Sequence, residues 1–201
     1  MIIGLQGKKR SGKDTVASFL PPTFTRYAFA GPLKQLLTNA TGIDFFSDEA
    51  KETDQNVEIN MWALCKYFGV YISWTEFKEL DSYCQLSFEG ILHIYTSKRK
   101  LLQFVGTEIG RAKKGHNFWV DKLQATDNDL VVTDVRFLSE VTKIRQLGGV
   151  VLTIERPGLE STDAHSSEQL PSMGDYVLIN DGSLDDLKNK VEKFLGVIKH
   201  E

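Results

Sequence analysis

Residues 2–5, Ile-Ile-Gly-Leu, run straight into Gly7-Lys8-Lys9-Arg10-Ser11-Gly12-Lys13, after which Val16, Phe19 and Leu20 recur at helical spacing. A short apolar run, a glycine-bounded polar loop and an amphipathic segment predict strand, tight turn and helix. Pro21 and Pro22 stop that helix. The rest of the chain repeats the alternation. Tyr27 to Phe29 is a second short strand, and Gly31-Pro32 opens a helix through Leu33, Leu36 and Leu37. Two further helical stretches begin at Leu101 and at Asn117. Leu130–Thr133, Val150–Ile154 and Tyr176–Ile179 read as buried strands. Between the first two, Phe137, Val141 and Ile144 keep helical spacing up to Gly148-Gly149. Ser183 is a plausible N-cap for a last helix lined by Leu184, Leu187, Val191, Phe194 and Leu195. Strands alternating with helices predict a parallel sheet of about five strands, covered on both faces. Ligands of such sheets sit beyond the carboxyl ends of the strands.

The first loop fits G-x-x-x-x-G-K. Glycines let the backbone curl until several N–H groups point at one phosphate, and the following helix adds its positive end. Lys13 supplies a full charge for the outer phosphates of a nucleoside triphosphate. Gly7, Arg10, Ser11, Gly12, Lys13, Asp14 and Thr15 are therefore the expected ATP-binding residues. Asp14 stands where Ser or Thr normally meets Mg²⁺. Its carboxylate could hold the ion directly or through water, or it is only a first-turn helix residue.

Other polar groups follow the later strands. Asp134 and Arg136 come just beyond the run Leu130–Thr133. A strand-end carboxylate can orient Mg²⁺ or its water, and the Arg136 fork can clamp a phosphate. An Asp–Arg surface pair capping the next helix would look the same. Arg111 is a candidate for an acceptor monophosphate. Lys113 and Lys114 read better as a solvated basic face. Arg156 roots a long polar loop, about 156–174, that carries Asp163, His165, Ser166, Ser167 and Glu168. A loop of that length suits a lid that keeps water from the transferring phosphoryl group. His165 fits no metal or nucleophile pattern. The turn Asn180-Asp181-Gly182-Ser183 needs no function as a strand–helix turn, but its backbone could contact a nucleotide base, which adds Asp181 to the expected ATP-binding residues.

A net charge of −3 argues against broad binding to polymeric nucleic acid or to a membrane surface, and no apolar run is long enough to span a bilayer. Cys65 and Cys84 form no C-x-x-C pair and no metal spacing with the four histidines, which predicts reduced thiols and a cytoplasmic setting. Residues 43–98 hold Trp62, Tyr67, Phe68, Tyr71, Trp74, Phe77 and Tyr83 without a clean period. They are expected to form an insertion on the acceptor side of a single domain, 1–201.

Taken in order, GKKRSGKDT, AGPLK, LLQFVGTEIGR with FWV after it, VVTDVRF, ERPG, DAHSSE and NDGS resemble the phage-type deoxynucleoside monophosphate kinases. The resemblance covers most of the chain outside about 43–98. It implies a three-layer, adenylate-kinase-like P-loop fold with an insertion and a lid. It also implies transfer of the ATP γ-phosphate to a deoxynucleoside 5′-monophosphate with Mg²⁺, in the host cytoplasm if phage-encoded. By position, Lys13, Arg136 and Arg156 would carry catalysis, and Arg111, Asp134 and Arg136 the acceptor. Members of the family can be homodimers. Rival readings are a kinase for another small acceptor such as dephospho-coenzyme A, a nucleotide switch and an inactive assembly protein. The switch reading lacks its motifs: no D-x-x-G is present, and Asn189-Lys190-Val191-Glu192 sits inside the last helix.

Overall fold

The structure, a computed structural model, describes residues 1–159 and 172–198. The expected loop residues Asp163, His165, Ser166, Ser167 and Glu168 lie outside them. In chain order the first elements are β1 (Ile2–Gln6), α1 (Lys13–Phe19) and β2 (Thr25–Tyr27). Next come α2 (Gly31–Thr41), β3 (Gln55–Asn60), α3 (Met61–Phe68), β4 (Gln85–Leu86), β5 (Ile91–Thr96) and α4 (Lys98–Phe104). A π-helical segment (Val105–Arg111) joins α4 to α5 (Ala112–Lys114). The last elements are β6 (Leu130–Val135), α6 (Leu138–Gln146), β7 (Val150–Glu155), β8 (Tyr176–Ile179) and α7 (Leu184–Ile198). The chain divides into two compact units, Met1–Phe29 with Leu123–Glu201, and Ala30–Lys122.

The first unit is a five-stranded sheet in the order β2-β6-β1-β7-β8, with every pairing parallel. β1 is central and alternates between two covered faces. Its Ile3 and Leu5 join Val16 and Ala17 of α1 and Leu187, Val191, Phe194 and Leu195 of α7 in one core. On the other face, a Cβ on Gly4 would lie 2.6 Å from Ile144 Cδ1 of α6. Gly4 is thus the flat spot that lets α6 approach, and the result is three layers, helix–sheet–helix. Because all the strands run the same way, their carboxyl ends share one edge. Register puts Gln6, Val135 and Thr153 level there.

β2 lies two residues before its expected place, Thr25–Tyr27 rather than Tyr27–Phe29. Its ladder follows Thr25↔Leu130, whereas the Phe29 N–H donates to the Asp134 carboxylate instead of a strand. Ser183 caps α7 as expected. Its Oγ accepts from Asp186 N at 3.2 Å, and Asp186 accepts in return from Ser183 N and Oγ. The Ser183 hydrogen bonds hold the Asp186 carboxyl below the usual aspartate range.

The second unit carries an antiparallel sheet in the order β3-β5-β4. Val57 pairs with Ile94 and Ile59 with Leu92, so the inner face is apolar. It packs with Leu33, Leu36 and Leu37 of α2 and Leu101 and Phe104 of α4. Cys65 and Cys84 are both free, and burial pushes the Cys84 thiol up. The helix expected from Asn117 shrinks to one 3₁₀ turn, Val120–Lys122. Gly115 at φ +100° breaks the chain direction first, and Trp119 then packs onto Gly110.

Candidate active site

The turn after β1 has the geometry that its glycines suggest. Gly7 and Gly12 have φ of +152° and +105°, and Arg10 at the exposed tip is left-handed at φ +65°. Left-handed backbone costs a non-glycine residue about 1–3 kcal/mol and gathers at functional sites. A Cβ on Gly7 would lie 2.5 Å from the Ile154 carbonyl, and one on Gly12 would lie 2.6 Å from Asn180 Nδ2. The loop is therefore seated against β7 and the end of β8. Ser11 N donates to Lys8 O at 3.1 Å, and Asn180 Nδ2 donates to Ser11 O at 2.9 Å. Lys13 opens α1 and folds back, its Nζ donating to Gly7 O and Lys8 O at 2.7 Å each. The ammonium is thereby tied to the loop whose anion it would serve. Ser11 is buried, and its Oγ has no hydrogen-bond partner. A positive charge, curled backbone and an orphaned hydroxyl in one turn suit a polyphosphate.

Asp134 is placed by an irregularity. Gly4 pairs with Val132 and Gln6 with Val135, so Thr133 and Asp134 of β6 stand opposite Leu5 alone. This bulge re-aims Asp134, whose half-buried Oδ1 accepts from Phe29 N at 2.8 Å. Arg136 follows at the exposed start of the turn. Its N–H and that of Phe137 donate to Glu140 Oε2 at 2.7 and 3.0 Å. Glu140 is 5% exposed. Replacing it with Ala would strand two amides beneath Arg136. Glu140→Ala should lower stability by about 1–3 kcal/mol in urea denaturation. Stability equal to the parent's would remove Glu140 from this role.

Arg156 is exposed directly after β7, on the same strand-end edge. The far root of the polar connection is pinned as well. Thr153 Oγ1 donates to Gln6 Oε1 and accepts from Ser172 Oγ, while Met173 N donates to Gln6 Oε1. Asp181 is exposed and paired with Lys190, whose hydrogen bond holds the carboxyl below its usual range. Its side chain thus serves α7, while Asn180 beside it supports the phosphate loop. Sequence reading counted Asp181 on the nucleotide side through the backbone of its turn, and it foresaw no side-chain role for Asn180, Glu140 or Gln6. Their type is ordinary for a turn, a helix start and a strand, and only the fold gives them partners.

Lys13, Asp134, Arg136, Arg156 and Asp181 all belong to the first unit. Arg111 belongs to the second, where it ends the π-helical segment. Lys113 pairs with Glu76 at 3.0 Å. Among the described residues no group of three His, Cys, Asp or Glu is arranged to hold a metal ion. One exposed carboxylate in the first turn of α1, Asp14, and one half-buried one, Asp134, fit an ion held mostly by phosphate oxygens and water.

Among the described residues no helix is long and apolar enough to cross a membrane. The sequence model of the deoxynucleotide monophosphate kinases matches residues 1–67 and 69–191. The chain is 30% identical to the deoxynucleotide monophosphate kinase of Enterobacteria phage T4, over 98% of this chain and 99% of the relative. It is 29% identical to that of Escherichia phage RB69, over 96% and 99%. Identity to the deoxynucleoside-5′-monophosphate kinase of Escherichia phage T5 is 31%, over 73% of this chain and 72% of that one.

Proposed function

We propose, from the premise that this chain belongs to the deoxynucleotide monophosphate kinase family, that it transfers the γ-phosphate of ATP to a deoxynucleoside 5′-monophosphate and releases ADP. The observation that carries the choice of donor is the turn Gly7–Lys13, with its two left-handed glycines and its tethered ammonium. An acceptor phosphate oxygen attacks the γ-phosphorus in line, and the bond from that phosphorus to the β–γ bridging oxygen breaks. No covalent intermediate with the protein is needed, so positioning, charge neutralisation and exclusion of water do the work. Gly7, Arg10, Ser11, Gly12 and Thr15 would surround the donor phosphates, and Lys13 would neutralise the transferring group. Asp14, with Asp134 in reserve, would hold water on Mg²⁺, whose charge offsets that of the phosphate oxygens. Arg136 and Arg111 would take the acceptor monophosphate, Arg156 the charge that builds up on transfer, and the turn at Asp181 the base.

The test is an acceptor panel with Mg-ATP, reading ADP release: dAMP, dCMP, dGMP, dTMP, the four ribonucleotides and dephospho-coenzyme A. A deoxynucleoside monophosphate should be the best substrate. Phosphorylation of dephospho-coenzyme A alone, or ATP hydrolysis that ignores every acceptor, would overturn the reading. On the best acceptor, Arg136→Ala should raise KM about tenfold or more and leave the KM for ATP within about twofold. Unchanged acceptor kinetics would take Arg136 out of the site.

A further inference from the structure

The segment before Arg111 is a π-helix, a form that is rare and tends to mark functional sites. It is flanked by α-helical backbone on both sides, at Phe104 and at Ala112. The widened turn shows directly, because Ala112 N is shared between Ile109 O and Thr107 O, the latter five residues back. One extra residue in a turn rotates everything after it by roughly 100° relative to an α-helical continuation. The direction in which Arg111 leaves the helix is therefore set by whatever keeps this turn wide.

Trp119 is the side chain placed to do so. It is buried, and its indole Nε1–H donates to the Gly106 carbonyl at 2.8 Å. In an i to i+5 ladder, that carbonyl is the one facing the amide of residue 111. The same ring covers Gly110, where a Cβ would fall 2.7–2.9 Å from three indole atoms. Gly106 is just as tight on its own side, its Cβ position 2.9 Å from Leu33 Cδ2. Behind the indole stands a wall of rings. Tyr67 stacks at 6.2 Å, Phe68 meets it edge-on at 6.0 Å and Phe118 at 4.9 Å. Lys122 lies over the Tyr67 and Phe118 rings at 5.1 and 4.7 Å, on the outer side of that wall. The indole can neither retreat nor rotate without breaking this packing, so the π-turn is clamped between it and α2.

We propose that Trp119 is a positioning residue for Arg111, acting through Gly106 and Gly110 to fix the direction of the guanidinium. The inference rests on the assignment of Arg111 to the acceptor monophosphate and adds to it a residue that does not touch substrate.

Trp119→Phe keeps an aromatic ring at the site and loses the N–H and part of the indole that covers Gly110, so it is the variant of choice. In the full-length chain it should raise the KM for the best acceptor of the panel about tenfold, because small misplacements of a substrate clamp are costly. The KM for ATP should stay within about twofold. The deciding measurement is the double variant. If Trp119 works through Arg111, Trp119→Phe adds nothing to the acceptor KM of Arg111→Ala. A full Trp119→Phe effect in the Arg111→Ala background overturns the proposal, as does an equal rise in both KM values or no rise at all. Arg111→Ala with unchanged acceptor KM instead overturns the role of Arg111 itself, and the inference with it. Should Trp119→Phe not fold, Gly110→Ala displaces the same ring and is read by the same comparison.

Discussion

Lys13→Ala should lower turnover by about a thousandfold or more, the loss expected when a positioned charge on the transferring phosphoryl group disappears. The fold should survive it. Lys13 is only partly buried, and its Nζ donates to two carbonyls of an open turn. Each hydrogen bond is worth about 1 kcal/mol net, and water can replace the donor at both acceptors. Stability and chemistry therefore separate at this residue. Thermal melting and far-UV circular dichroism should stay near those of the parent, while single-turnover ADP formation collapses. Lys13→Arg should rescue little, since a planar fork does not reproduce a compact point charge at the same spot. Near-parental turnover in Lys13→Ala would refute the assignment.

Gly7→Ala should cost both stability and nucleotide binding. Its φ of +152° disfavours any side chain, and its Cβ would lie 2.5 Å from the Ile154 carbonyl and 2.7 Å from Ser11 Oγ. Ile154 belongs to β7, which pairs with central β1 on one side and β8 on the other, so its carbonyl cannot give way cheaply. A loss of about 3 kcal/mol is expected from left-handed strain plus displacement. ATP affinity should fall at least about a hundredfold, because the loop amides that would face the phosphates turn with the loop. Gly12→Ala supplies the contrast. Its nearest neighbour is the end of the Asn180 side chain, which can rotate away, though it then gives up Ser11 O. Gly12→Ala should therefore destabilise less than Gly7→Ala in chemical denaturation. The reverse order, or a Gly7→Ala protein that binds an ATP analogue normally, would mean that the turn is not held as described.

What was legible in the sequence was local. The phosphate loop is a contiguous string, and the strands of the parallel sheet are apolar runs with turn residues at their ends. The antiparallel sheet of the second unit was not legible. Its alternation is confined to Val57 and Ile59 in one strand and Leu92 and Ile94 in another, some thirty residues apart. Prominent aromatics between them, Trp62, Tyr71, Tyr83 and Phe88, are exposed and carry no periodic signal. The π-helix escaped as well. LLQFVGTEIGR reads as an α-helix, and the spacing of Gly106, Gly110 and Trp119 means nothing until the chain has turned back at Gly115. Asn180, Glu140 and Gln6 were hidden for the same reason, since each gains its role from a partner distant in sequence or from the turn it caps.

The extra residue in β6 has a wider consequence. Beyond it the strand keeps a different parity, so the count of residues from Leu130 to Arg136 matters as much as their chemistry. Replacing Thr133 with another small side chain leaves that count alone. Removing it would slide the tail of the strand by one position, turning Asp134 away from Phe29 and Arg136 away from the carboxyl-end edge of the sheet. At this point in the fold, chain length is itself a constraint, and insertions or deletions should be tolerated less than changes of residue type.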